Sequence, residues 1–186
     1  MTERIDTMIL MLLNGHHSEL MNRVMWTVSD RWTWAPLYVV LLAIIVLRYG
    51  WKKSLLILLC IAITIALTDQ LCASVIRPAV GRLRPSHPDN PISPLITLVN
   101  GYHGGKYGFP SCHAANSAAL TAFVACLFRS WKLTVAMIVW TLAISYSRAY
   151  LGVHYPTDLL GGWLAGSLIG YGMWRLYRKI STIYRL

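Results

Sequence analysis

The sequence predicts an all-α fold: a polytopic bundle of about five transmembrane helices, preceded by short interfacial helices. Three observations point there. First, 56% of the 186 residues are hydrophobic and 13% are charged, whereas soluble domains carry about 25% charge. Second, several apolar runs approach or exceed the ~20 residues that cross a bilayer, and mean hydropathy is +0.51. Third, these runs are bounded by the aromatic and basic residues typical of a membrane interface. Residues 1–186 read as a single integral-membrane domain, with no room for a second.

The opening segment, 1–30, has helical spacing in Ile5, Met8, Ile9, Leu12 and Leu13, then in Leu20, Val24 and Val28. Asn14-Gly15-His16-His17-Ser18 interrupts it, so two short amphipathic helices at the surface fit better than one span, with His16 and His17 as solvated turn residues. The start, Met1-Thr2-Glu3-Arg4, lacks the basic region of a cleaved signal peptide. The first span covers about 34–47 and the second about 55–76; Asp69 lies within the second and should face the bundle. A long polar segment, 77–110, follows. The remaining spans cover about 114–128, 133–146, and from 156 to just before Arg175. In the fifth, Gly162, Gly166 and Gly170 form a smooth stripe for close helix packing, with a homodimer contact as the lesser alternative.

The net charge of +10 favours anionic partners, although membrane proteins are often basic for topological reasons alone. No nucleic-acid partner is expected. Cys60, Cys72, Cys112 and Cys126 show no zinc or disulfide spacing. Basic residues near 48–53, 129–132 and 175–185 alternate onto one side, which the positive-inside bias makes cytoplasmic. The opening segment, the 77–110 loop and the 148–158 turn then share the opposite face. Arg77, Arg82, Arg84 and Arg148 defy the bias there, which suggests another task.

Three segments on that face carry chemistry. Arg77, Arg82 and Arg84 fall within eight residues and make a dense anion site; Arg77 and Arg84 are seven apart and can share one helical face. In Pro110-Ser111-Cys112-His113, Ser111 is a good N-cap, the following N–H groups suit an anion, and His113 sits in the first turn. In the 147–158 stretch, Pro156 suits the start of a helix and Asp158 falls in its first turn. Asp158 can hold one nitrogen of His154 and leave the other free to attack, while Arg148 offers a fork of donors to a phosphate or carboxylate. No carboxylate cluster suited to Mg²⁺ is visible, so metal-independent chemistry without a cofactor is expected.

Arg77 with Arg84-Pro85, then Pro110-Ser111-Cys112-His113, then Ser147-Arg148 with His154 and Asp158 resemble the three-part signature of the phosphatidic acid phosphatase type 2 superfamily. The match covers 77–158 in order. It departs twice: Arg77 stands where Lys is usual, and Cys112 where Gly is usual. A backbone conformation open only to Gly would be strained at Cys112. The resemblance implies that His154 forms a phosphohistidine, that Asp158 orients it, and that His113 protonates the leaving oxygen and then activates water. It also implies that Arg77, Arg84, Arg148, Ser111 and backbone N–H groups, that of Cys112 included, hold the phosphoryl oxygens. The expected activity is hydrolysis of a lipid phosphate or pyrophosphate at the extracytoplasmic face of the inner membrane. The small size and five-span layout resemble undecaprenyl-pyrophosphate phosphatases, which implies undecaprenyl pyrophosphate as substrate; lipid A phosphates and phosphatidylglycerol phosphate are the alternatives. An anion transporter is a distant alternative, since transporters keep charges near the midplane and here only Asp69 is deep. Loop 86–109 is expected to cover the site, where His103 or Lys106 could touch a second phosphate.

Overall fold

The broken periodicity of the opening segment produces two helices, α1 (Thr2–Asn14) and α2 (Glu19–Ser29), in a computed structural model that describes residues 2–183. The break is capped by Ser18, whose Oγ accepts from Met21 N at 3.2 Å. Both helices pack on α6 (Trp131–Tyr150), and α1 also touches α7 (Pro156–Ile183). The inward face of α1 carries Asp6, Leu10 and Asn14, spaced four apart and buried; Ile5, Met8, Ile9 and Leu12 face outward and are exposed. His16 is exposed as expected, but His17 is not a free turn residue. Its Nδ1 lies 2.7 Å from Asn22 Oδ1, and its ring rests 4.4 Å from that of Tyr150.

The first two predicted spans form α3 (Ala35–Gln70), broken between them at Gly50, whose φ of 72° and ψ of 164° are not helical. Both arms feed one apolar core, through Leu41 and Ile45 before the break and Ile57 and Cys60 after it. The second arm runs on through a π-turn (Leu71–Ile76) into the short helix α4 (Arg77–Val80). Gly81 ends it in the left-handed conformation, its N–H donating to Arg77 O at 2.9 Å. The break corrects one expectation: Arg77 and Arg84 do not share a helical face. Asp69 is another correction. It accepts from Asn116 on α5 (Cys112–Phe128) at 3.4 Å, yet it sits exposed at the edge of the bundle.

The Ala-rich helix α5 is central, packing on α3, α6 and α7. Its closest neighbour is the glycine stripe of α7. A Cβ at Gly166 would come within 2.0 Å of Ala115 O, and one at Gly170 within 2.2 Å of Ala119 O. The stripe is therefore covered by α5, and no dimer can use it. On the other side of α7, Leu160, Leu164 and Leu168 are exposed, as are Val39, Leu47, Leu55, Leu59 and Leu142 on α3 and α6. That outer surface is strongly apolar, which suits lipid contact. Among the described residues, Arg31–Val80 is the one helical stretch both long and apolar enough to cross a membrane by composition, and Cys112–Phe128 is apolar but shorter. The helices α6 and α7 miss that mark. Ser, Thr and basic residues in α6, and Gly and basic residues in α7, dilute their hydropathy.

Candidate active site

The three signature segments meet at one end of the bundle, at the starts of α5 and α7 and the end of α6. Ser111 is fully buried; its Oγ accepts from Ala114 N at 3.5 Å and so caps α5. Its own N–H donates to Asp158 O at 2.9 Å, which ties the first turn of α7 to the start of α5. Pro156 opens α7 and Asp158 falls in its first turn. The Asp158 carboxylate is fully buried. Its Oδ2 accepts from Tyr155 N at 3.0 Å and lies 3.3 Å from His154 Nδ1. Gly108 makes room for it, because a Cβ there would come within 2.8 Å of Oδ2.

His154 is also fully buried, and its Nε2 lies 3.0 Å from Arg84 Nη1. Arginine has only donors, so Nε2 must accept. The ring proton therefore sits on Nδ1, where it donates to Asp158. That leaves the Nε2 lone pair turned toward the arginines, the arrangement a nitrogen nucleophile needs. Burial first, then the charges of Arg84, Arg148 and Arg77, hold the imidazole well below its ordinary pKa.

Arg84 is held by Tyr107 O at 3.1 Å and Val153 O at 3.2 Å, on a loop segment pinned by an antiparallel bridge between Leu83 and Tyr107. Burial and its neighbours Arg77 and Arg148 push it down to about 10, still a cation at neutral pH. Arg148, near the end of α6, donates through Nη1 to Ser29 Oγ and through Nη2 to Tyr102 Oη at 3.3 Å; its Nε is buried with no hydrogen-bond partner among the described residues. Arg77 donates to Pro110 O at 3.1 Å. His113 is half-buried beside these cations. Burial, then Arg148, Arg84 and Arg77, push its pKa down to about 3. Among the described residues Arg77, Arg84 and Arg148 form no ion pair with a carboxylate, and they stand beside two neutral imidazoles, a buried cluster of positive charge suited to an anion. Among the described residues, no three His, Cys, Asp or Glu side chains converge as a metal site.

Cys112 carries no backbone strain, since its position does not need a conformation open only to Gly. It is the first residue of α5, and among the described residues only Asn100 and Arg129 combine a side chain with positive φ. Its thiol packs with Cys72 and Ala115 in a small buried cluster. His103 does not face the site either: it closes its own loop, with Nδ1 2.6 Å from Ser86 O, and Lys106 is exposed over the Tyr107 ring. Arg82, counted with the anion-binding arginines, lies instead against Asp158 Oδ1 at 2.9 Å. Ser29, Tyr102 and Asp6 also belong to this end of the bundle, although no sequence motif marks them. Asp6 left a trace, as a carboxylate in register with Leu10 on the inward face of α1; Tyr102 and Ser29 left none.

Residues 53–181 match the sequence profile of the PAP2 superfamily. The chain belongs to that family. This PAP2 chain is 46% identical over 173 residues to a lipid A 4'-phosphatase of Bacteroides thetaiotaomicron, covering 93% of this chain and 76% of the relative. It is 31% identical to a lipid A 4'-phosphatase of Porphyromonas gingivalis, covering 93% and 73%. It is 28% identical to the putative undecaprenyl-diphosphatase YbjG of Escherichia coli, covering 100% and 93%. Its fold is shared with the crystal structure of a transmembrane PAP2-type phosphatidylglycerolphosphate phosphatase from Bacillus subtilis, with a TM-score of 0.70, 23% identity, and coverage of 96% of this chain and 87% of that one. The protein is thus a membrane lipid phosphatase of the PAP2 superfamily, a hydrolase acting on phosphoric esters.

Proposed function

We propose that this protein removes a phosphate monoester from lipid A, most specifically the 4'-phosphate, through a phosphohistidine on His154. The observation that carries the chemistry is the line Asp158–His154–Arg84, which leaves the His154 Nε2 lone pair facing the arginines. Nε2 attacks phosphorus, an N–P bond forms and the P–O bond to the sugar breaks. His113 gives its proton to the departing oxygen, then takes one from the water that cleaves the N–P bond. Asp158 orients His154 and offsets the positive charge it gains. Arg77, Arg84, Arg148, Ser111 and the first N–H groups of α5 hold the phosphoryl oxygens, the positioning and charge stabilisation on which phosphoryl transfer chiefly rests. The lipid A assignment draws on the two relatives named for the 4'-phosphate, one 46% identical. It replaces undecaprenyl pyrophosphate as the leading reading.

The E. coli relative, matched over the whole of this chain, supports a second reading with undecaprenyl pyrophosphate as substrate. The two differ in leaving group. A sugar alkoxide needs protonation far more than a phosphate does, so His113 matters more for lipid A. The site sits where helices α5, α6 and α7 start or end, at head-group depth for about five spans. The exposed basic residues Arg48, Lys52, Arg129, Lys132, Arg175, Arg178 and Lys179 lie at the opposite ends, which the positive-inside bias makes cytoplasmic and the site extracytoplasmic. Arg185, counted in that cluster, lies outside the described residues.

The test is phosphate release by the purified protein, with chelator present, from lipid A labelled at the 4' or the 1 position, from undecaprenyl pyrophosphate and from phosphatidylglycerol phosphate. Release from the 4' position is expected, lost in His154→Ala along with phosphohistidine labelling. Exclusive release from undecaprenyl pyrophosphate would install the second reading. Labelling retained in His154→Ala would remove His154 as nucleophile, and loss of activity in chelator would remove the metal-independent mechanism.

A further inference from the structure

Arg82 faces the side of Asp158 away from His154, and it is gripped from three directions. Its Nη1 donates to Asp158 Oδ1 at 2.9 Å and to Thr157 Oγ1 at 2.6 Å, and its Nη2 donates to Asp6 Oδ2. Its guanidinium also lies 4.0 Å from the centre of the Tyr155 ring. Asp6, 3% exposed on the inward face of α1, accepts in addition from Thr157 N at 3.0 Å and from Thr157 Oγ1. The N-terminal helix thus reaches the first turn of α7 through a buried carboxylate and fixes the cation that fixes Asp158.

The two oxygens of Asp158 are divided between two tasks. Oδ2 serves His154 Nδ1 and the Tyr155 N–H; Oδ1 serves Arg82. A fully buried carboxylate that loses a direct cationic partner either turns toward another donor or takes a proton. Either change spoils the catalytic step, because His154 becomes positive only when its nitrogen bonds phosphorus, and it then needs a charged acceptor held in line with Nδ1.

We propose that Arg82, clamped by Asp6 of α1, is a positioning residue of the hydrolysis: it holds Asp158 as a carboxylate aimed at His154 and does not touch the phosphate. This rests on the reading of His154 as nucleophile. The helix α1 is then part of the catalytic assembly, although it contributes nothing to the phosphate cage.

A competing role is visible nearby. The outer edge of Arg82 borders a cavity of about 400 Å³ lined also by Glu3, Thr7, Asn90, Ile92 and Tyr155, where it could bind part of a substrate. The split between kcat and KM separates the two. The experiment measures both for the full-length protein and for Arg82→Gln, Arg82→Lys and Asp6→Asn, with phosphohistidine labelling alongside. The substrate is lipid A, or undecaprenyl pyrophosphate if the wild type turns over that lipid instead. Arg82→Gln should lower kcat by roughly 10–100-fold, the usual effect of removing a group that orients a reacting one, with KM almost unchanged. Arg82→Lys should recover part of the loss, and Asp6→Asn should cost roughly 3–30-fold in kcat. In an Asp158→Asn background, Arg82→Gln should add almost nothing, because its effect passes through Asp158. A raised KM with unchanged kcat, or losses fully additive with Asp158→Asn, would overturn the proposal. If Arg82→Gln does not fold, Asp6→Asn decides, and a wild-type kcat there refutes it. Wild-type turnover without a phosphohistidine at His154 would instead remove the underlying reading.

Discussion

At one end of the bundle Arg84 and Arg148 are 5% and 3% exposed, and their donors meet neutral partners: backbone carbonyls, His154 Nε2, Ser29 and Tyr102. At the other end Arg48, Arg129, Arg175 and Arg178 are exposed, and Arg48 and Arg178 lie over the rings of Phe128 and Trp174 at 5.5 and 5.1 Å. The two ends are alike in composition and opposite in physics. Water and lipid head groups can neutralise the exposed cations at little cost. The buried ones cannot be neutralised that way, and their mutual repulsion persists in the folded state. A fold that tolerates this is stabilised elsewhere, in the α5–α7 seam and the apolar core, and keeps a buried cluster of positive charge suited to an anionic group. The difference teaches that charge density does not mark the site; burial without a counter-ion does.

The contrast is broken most directly at His113. Its pKa of about 3 makes it neutral at pH 6 in the free protein. An anion among Arg148, Arg84 and Arg77 cancels their repulsion and raises that pKa, so His113 should take up a proton as the anion binds. Calorimetry of sulfate binding at pH 6, in two buffers of different ionisation enthalpy, should show more uptake in the wild type than in His113→Ala, where Asp158, pushed up to about 6 by burial, still takes up protons. The same substitution should slow lipid A hydrolysis by roughly 10²–10⁴, the worth of a general acid. Equal proton uptake in the two proteins, or a wild-type rate, would remove His113 as the acid.

The arginines sharpen the comparison with a somewhat smaller effect. Arg84→Ala should lower kcat by roughly 10²–10³, as losing one donor to a developing negative charge does. Arg178→Ala, equally basic but exposed, should stay within about twofold. Equal losses at both ends, measured on the same lipid in the same detergent, would mean that net charge and not the buried cage drives the reaction.

What the sequence made legible follows from the range of each interaction. Ser111 with His113, and His154 with Asp158, are local: both pairs sit at helix starts, where caps and spacing can be read directly. The apolar spans at 34–47 and 55–76 were equally plain. The shared helical face of Arg77 and Arg84 failed because Gly81, in a left-handed conformation, breaks the helix between them. Arg82 was misplaced because its partners are distant in sequence: Asp6 and Asp158 each lie 76 residues away. Arg148 meets Tyr102 and Ser29 across 46 and 119 residues. No periodicity encodes such pairings; only the packing of α1 and α2 against α6 and α7 makes them.

Cys112 tests whether the departure from the family's usual glycine matters, and the smallest effect is expected there. A glycine is required where φ is positive or where a neighbour leaves no room for a Cβ, as at Gly108 beside Asp158. Cys112 meets neither condition: it is helical, and its side chain occupies a space shared with Cys72 and Ala115. The backbone N–H it can offer to a phosphoryl oxygen is the one a glycine would offer. Cys112→Gly should therefore hydrolyse lipid A at close to the wild-type rate, while losing about 1 kcal/mol of stability from the poorer helix former and the lost packing. Thermal unfolding in detergent and kcat on the same preparation check both. A large gain in kcat would show that the thiol obstructs the site. A large loss, with the fold intact, would give the thiol itself a part in holding the phosphate.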